Sequence, residues 1–416
     1  MTAPQAVAHD TEKCLPDQSA LQSAVGPGRA RTVAAWRNLD RLPAWLDAAR
    51  RACRAPPPEA SKAAEWFLDN EYHIRRAVRQ VRYDMPAAFY RRLPRSAWPE
   101  AQGCPRAFVA ARSYLETTHT QMDMRTATDF LKAFQHGKDL CLAELWAFPA
   151  MLRLAALEEI VSALLYLLPT LKPPFWPMDR SATRANRDPT EVLSRAIVAL
   201  AAIERIDWQA FVEATSRVEA ILRGSHDGLY RDMDFETRNR YRQAIEDLAD
   251  GSGRPETEIA QKAVRSARDH AGSLRKGHVG WWLIEGGRAE VEAAIGYRAG
   301  RGQVVRRIAL AKPGITYASA LLGFGLVALT VPLALLVRSN VEGIALALSV
   351  VLLVSPASII AVTLANWLVT RTVPPRVLPK MDFRSGLPED LDAAVIVPAI
   401  FRTPDEIPPV LARLER

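Results

Sequence analysis

Four cysteines in 416 residues, Cys14, Cys53, Cys104 and Cys141, are too few and too scattered for a disulfide framework. None stands in CxxC spacing and the seven histidines are dispersed, so a zinc site of the ribbon or finger type is excluded. The thiols are expected to be reduced, in a cytoplasmic compartment. Aromatics are only 7% of the chain, and no RNP-type motif or helix-turn-helix pattern accompanies the net charge of +8, so nucleic acid is not an expected partner. There is no phosphate-cradling Walker loop and no GxGxxG after a strand, and Ser, His and Asp form no recognisable triad. The N-terminus carries Asp10, Glu12, Lys13 and Asp17 but no apolar run, which excludes a secretory signal. Residues 1–41 are expected to be a disordered leader.

What the chain does have is apolar sequence concentrated in one place. Ile315–Val337 and Gly343–Val369 contain no charged residue. Each is longer than the roughly 20 residues that cross a hydrocarbon core as a helix. The link Arg338-Ser339-Asn340-Val341-Glu342 is short and nearly neutral. Arg301, Arg306, Arg307 and Lys312 precede the first run, and Arg371, Arg376, Lys380 and Arg384 follow the second. Cations concentrate on the cytoplasmic side of a membrane protein. The expectation is a transmembrane hairpin over 315–369 in a bacterial inner membrane, with the lipid bilayer as partner and both termini in the cytoplasm. Neither run holds a charge for a transport or proton-relay role, and Pro332 and Pro356 are tolerated kink positions.

Upstream, strand-like alternation is almost absent. Phe67, Ile74, Val78 and Val81 share one side of a helix predicted over Lys62–Val81, with Arg75, Arg76, Arg79 and Arg82 elsewhere on it. Further helices are predicted over Thr126–Gln135, Leu140–Leu168, Trp208–Leu222, Asp234–Leu248 and Glu256–Ala271. Glu236 and Arg240 would pair at i,i+4. Glu144, Arg153, Glu158 and Glu159 keep Leu140–Leu168 from being a third span. Pro169, Pro173, Pro174, Pro177 and Pro189 suggest a linker at 169–189, between helical subdomains at 42–168 and 190–300.

Two Asp-x-Asp pairs invite a metal–nucleotide reading: Asp232-Met233-Asp234 and Asp390-Leu391-Asp392. That chemistry needs carboxylates at the end of a strand in a Rossmann-like sheet. The first pair opens a helix and the second precedes an apolar run, so capping and solvated turn roles are expected. His278, in His278-Val279-Gly280-Trp281-Trp282, is expected to be a packed structural residue. No catalytic, cofactor-binding or metal-ligating residue is assigned. Ala393–Pro398 reads as a short buried strand, and Thr403–Glu406 as the start of a helix to Arg413. The fold class expected is therefore mainly α: a multi-helix cytoplasmic region, a two-helix transmembrane hairpin, and a terminal βα unit at 378–416 from an incomplete α/β domain.

Several stretches, in order and spacing, resemble the N-terminal part of bacterial cyclic β-1,2-glucan synthases. They are Ala63–Asn70, Phe89-Tyr90-Arg91-Arg92-Leu93-Pro94, Glu144–Leu154, Tyr230–Arg238, His278-Val279-Gly280, and Leu378-Pro379-Lys380-Met381-Asp382-Phe383 leading to Val395–Pro398. The resemblance implies a UDP-glucose-dependent glycosyltransferase that builds a β-1,2-glucan and cyclises it. It implies a divalent metal in the complete enzyme, with the metal-binding and catalytic residues beyond residue 416. On that basis the chain is a membrane-anchoring helical module, not catalytic alone, whose partner would be the remaining glucosyltransferase portion as a separate chain. The alternative is a stand-alone inner-membrane scaffold for other envelope proteins.

Overall fold

The computed structural model describes residues 32–97, 101–117, 122–174, 188–373, 375, 377–384, 386 and 403–414. Among them the chain is helical, and β structure is limited to two isolated bridges. In chain order the first helices are α1 (Ala34–Arg37), α2 (Leu42–Cys53), α3 (Ser61–Asp84), α4 (Ala87–Arg92), α5 (Arg106–Thr117), α6 (Met124–Phe134) and α7 (Leu142–Leu167). They continue with α8 (Pro189–Ile203), α9 (Trp208–Thr215), α10 (Arg217–Arg223), α11 (Phe235–Ser252), α12 (Glu256–Asp269), α13 (Val279–Ile284) and α14 (Arg288–Ile295). The last are α15 (Arg301–Ala311), α16 (Pro313–Arg338), α17 (Gly343–Thr372) and α18 (Ile407–Leu414).

Helix α7 is the axis of the first core. It is apolar on almost every side, and α3, α5 and α8 pack around it. Its charges are accommodated rather than exposed to lipid. Glu144 is fully buried and accepts from Arg106 Nε at 2.9 Å and Nη2 at 2.6 Å. Glu158 accepts from the Ala35 amide at 3.3 Å. A buried carboxylate is tolerated only when paired and hydrogen-bonded in this way.

Two boundaries differ from the sequence-based expectation. Val33, Ala35 and Leu39 are buried, and Trp36 stacks on Tyr90 with ring centroids 3.8 Å apart. Packed structure therefore begins before residue 42, inside the stretch assigned to a leader; residues 1–31 lie outside the described residues. Helix α8, which follows the proline-rich stretch, joins the first core through Leu193, Ile197, Leu200 and Ile203. The buried side chains thus group most of 33–212 together, and a second cluster runs from Val218 to Ile295 and takes in Leu142 from the start of α7. Pro169, Pro173 and Pro174 follow α7 and Pro189 opens α8 without dividing the packing; residues 175–187 are outside the described residues.

One predicted helix is split. Ser216 is extended between α9 and α10, and its side chain accepts from the Glu219 amide at 3.2 Å. The hydroxyl caps α10 and so ends the continuity that hydrophobic spacing alone suggested. The Glu236–Arg240 pair is not formed among the described residues; Arg240 donates to the Val377 carbonyl instead, at 2.5 Å. The strand expected at Ala393–Pro398 lies outside the described residues. The helix after it is present as α18, preceded by a 3-10 turn at Pro404–Glu406. Among the described residues this end shows a helix and no strand, so the βα unit is not supported.

Helices α16 and α17 are the two candidate membrane spans, each with mean hydropathy 2.5. Large apolar side chains such as Leu322, Leu326, Val351 and Leu352 point outward, 69–74% exposed. A soluble core helix would hide them. The two helices meet along Ala357, Ala361 and Ala365, with Gly325 opposite Ala361, and Tyr317 donates to Asn366 at 3.0 Å. Small residues at four-residue spacing let two backbones approach closely, the usual seam between helices in lipid.

Candidate functional site

Helix α11 sits where both ends of the hairpin return to the soluble body. Its start is set by Asp234, extended, whose carboxylate accepts from the Thr237 amide at 2.8 Å. Burial would raise the Asp234 carboxyl, but this capping and the nearby Lys380 and Arg238 hold it below its usual range. Its end is set by Gly253, whose φ of 71° is the left-handed conformation that glycine adopts without cost. Tyr241, Ile245 and Leu248 face the second core. The remaining sides carry the polar groups that grip the chain on either side of the hairpin.

The first grip is at the C-terminal half. Asp247 accepts from Gln303 Nε2 at 2.6 Å, from the Tyr297 hydroxyl at 3.3 Å, and from Arg288. The Tyr297 ring lies directly over Gly251, where any Cβ would collide with it, and the Arg298 amide donates to the Gly251 carbonyl at 2.9 Å. Glu292 accepts from both terminal nitrogens of Arg307, at 2.8 and 2.6 Å, and from Arg288 Nε at 2.8 Å. Burial would raise the Glu292 carboxyl, but these guanidinium bonds hold it below its usual range. The chain entering α16 is thereby tied down on one side.

The second grip is at the N-terminal half. The Asp234 amide donates to the Lys380 carbonyl at 3.0 Å, and the Asp382 amide donates to the Asp232 carbonyl at 2.8 Å. These bonds make an antiparallel bridge between Met233 and Met381. The Lys380 amide donates to Thr237 Oγ1 at 3.0 Å. Met381 packs on the second core. The chain leaving α17 is thus pinned to the same helix as the chain entering α16.

Beneath the bridge lies a buried charge network. Arg238 donates to the Met233 carbonyl at 2.6 Å and to Glu213 at 2.7 Å. Glu219, fully buried, accepts from Arg242 Nη1, Arg223 Nε and the Tyr230 hydroxyl, each at 2.7 Å. Burial alone would raise the Glu219 carboxyl. The Tyr230, Arg223 and Arg242 contacts outweigh it and hold the carboxyl below its usual range. The Tyr230 phenol is pushed up by burial and by Glu219. Arg242 stacks over the Phe235 ring at 4.8 Å. A network of this kind fixes the shape of the Tyr230–Arg238 turn and so the seat for Met381.

Asp234 is a helix cap and Asp232 offers its backbone to Asp382, so the first Asp-x-Asp pair is a docking edge. Asp390 and Asp392 lie outside the described residues. His278 is held by Asp227, Nδ1 to Oδ2 at 2.5 Å, and touches the Tyr241 hydroxyl through Nε2 at 3.2 Å. Gly280 is close beneath that hydroxyl, where a Cβ would overlap it. The Tyr241 phenol is pushed up to about 12 by burial, with Glu285 adding to the rise, which suits a packing role. Among the described residues no three His, Cys, Asp or Glu side chains gather as metal ligands would. Reading the sequence did not find the double grip or the Glu213–Glu219 network. The one signal in the sequence is that Tyr230–Arg238 and Leu378–Phe383 stand out as separate motifs, and they are the two halves of one contact.

No family model matches the chain. Among curated proteins it is similar to the cyclic beta-(1,2)-glucan synthase NdvB of Rhizobium meliloti (strain 1021), 27% identical over 427 aligned residues. The match covers 85% of this chain and 15% of that protein, so the chain spans a small part of its relative's length. With two apolar helices long enough to cross a membrane and a match along most of its length, the chain is a distant relative of the cyclic β-1,2-glucan synthases.

Proposed function

We propose that this chain is the membrane-anchoring helical module of a cyclic β-1,2-glucan synthase. In this reading it holds a UDP-glucose-dependent glucosyltransferase portion at the cytoplasmic face of a bacterial inner membrane. It carries out no glucosyl transfer alone; the donor UDP-glucose and a divalent metal belong to the remaining portion. The observation that supports this best is the attachment of both roots of the hairpin to α11, through Asp247 with Gln303 and through Thr237 with Lys380. Two points fixed to one soluble helix must lie on one side of any bilayer the hairpin crosses. Arg301, Arg306, Arg371 and Arg384 at those roots favour the cytoplasmic side.

Two measurements test it. An alkaline phosphatase fusion at Asn340 should be active and a green fluorescent protein fusion dark; the reverse pattern overturns the topology. Membranes holding this chain alone should incorporate no radiolabel from UDP-glucose, and membranes that also hold the glucosyltransferase portion should incorporate it. Labelled glucan from the chain alone would contradict the division of labour.

A further inference from the structure

Among the described helices that precede α16, helix α15 stands apart because none of its residues is buried. At 3.6 residues per turn, Val304, Val305, Ile308 and Ala311 share one side. Val305 and Ile308 are 66% and 69% exposed. The helix is not loose. Gln303 and Arg307, on another side, are bound to Asp247 and Glu292, so the apolar side is held facing away from the platform. The chain turns at Lys312, where φ is −135° and ψ 72°, so α15 does not simply continue the span. Thr316 bonds back to the carbonyls of Ala309 and Lys312 and holds the corner.

The charge of this segment is one-sided. Arg301, Arg306, Arg307 and Lys312 are accompanied by no acidic residue between 301 and 312. Arg307 is neutralised by Glu292, whereas Arg301, Arg306 and Lys312 have no carboxylate partner among the described residues. Arg301 occupies the first turn of α15, the end where a helix favours anions and a cation gains nothing from the backbone. Arg301 and Lys312 flank the apolar side at its two ends, with stems long enough to lie along it while their heads meet phosphates.

We propose that α15 is an interfacial helix, with Val304, Val305 and Ile308 seated in the headgroup region of acidic phospholipid and Arg301 and Lys312 bound to lipid phosphates. This rests on the hairpin crossing the bilayer, since α16 begins at Pro313 and delivers α15 to the surface. An apolar side bounded by cations and continuous with a span is the pattern of helices that lie in the interface, and each cation near an anionic surface strengthens local binding by about five-fold.

The test uses the full chain with its four cysteines changed to alanine. One sample carries an environment-sensitive dye at Val305→Cys, another at Val327→Cys in the middle of α16. Both are reconstituted in nanodiscs of phosphatidylcholine, with or without phosphatidylglycerol, containing lipids doxyl-labelled near the headgroup or deep in the chain. The Val327 site should be quenched by the deep doxyl group in both lipids. The Val305 site should be quenched by the shallow one, at least two-fold more with phosphatidylglycerol, and Arg301→Gln with Lys312→Gln should abolish the difference. A Val305 site open to aqueous iodide in both discs overturns the proposal while leaving the hairpin intact. So does a site protected from both iodide and doxyl lipid, which means a protein covers it. Equal shallow quenching in both lipids overturns the acidic-lipid assignment. No deep quenching at Val327 removes the hairpin and the interfacial helix together.

Discussion

The Lys380 amide donates to Thr237 Oγ1 at 3.0 Å, joining residues 143 apart in sequence across the whole hairpin. Together with Arg240 donating to the Val377 carbonyl at 2.5 Å, it holds the post-membrane segment on α11. Thr237→Val should cost about 1 kcal/mol, the net worth of one such bond. Combined with Arg240→Ala it should speed trypsin cleavage after Lys380 in detergent-purified protein without lowering overall helix content. Unchanged cleavage would mean the segment is held by other contacts.

Glu219 is the anion of the buried network, with Arg242 and Arg223 as its direct partners. Removing one partner of a buried pair leaves an uncompensated charge, at about 3–5 kcal/mol. Glu219→Gln should lower Tm by many degrees. By contrast Glu191→Gln, which breaks a half-exposed i,i+4 pair with Arg195, should change stability by less than about 0.5 kcal/mol. Similar effects of the two substitutions would contradict the burial argument.

Glu256 ties the start of α12 to the start of α7, accepting from the Leu142 amide at 2.8 Å. Burial pushes its carboxyl up to about 7, with Glu246, Glu144 and Asp250 adding to the rise. A folded value above the unfolded one means the native state binds the proton more tightly. Its contribution is therefore present in full below the unfolded value near 4.5 and is lost as pH rises through about 7. From the size of that rise the effect is at most about 3 kcal/mol. Wild type should become less stable relative to Glu256→Gln between pH 5 and pH 8, measured by thermal unfolding; parallel profiles would rule this carboxyl out.

Gly280 has no space for a side chain under the Tyr241 hydroxyl. Gly280→Ala should destabilise by about 1–3 kcal/mol, as overpacking does. Adding Tyr241→Phe should recover part of that loss, since the clash is with the hydroxyl and the outer ring carbon. No recovery would place the strain in the backbone.

The helices were largely legible because apolar residues recur at helical spacing in α3, α11 and α12 and because uncharged length alone marks α16 and α17. Splitting Trp208–Leu222 needed Ser216 to be recognised as a cap inside an apolar stretch, where its hydroxyl competes with helix continuation. The proline-rich stretch misled because prolines report backbone interruption, whereas α8 rejoins the first core through Leu193, Ile197 and Leu200. The double grip on α11 was not legible. Its bonds connect residues far apart in sequence, several run through main-chain atoms that every residue possesses, and Arg240 abandons the local partner that spacing suggested.

Thr237 and Asp247 lie ten positions apart on α11, about 15 Å along its axis. A rod clasped at both feet of a hairpin has no free swivel against the lipid. If α16 and α17 lean to match a thinner bilayer, the lean reaches the rod at two places and turns the soluble body with it. In the proposed topology, the direction in which the chain departs after Asp382 would then follow the membrane's own thickness.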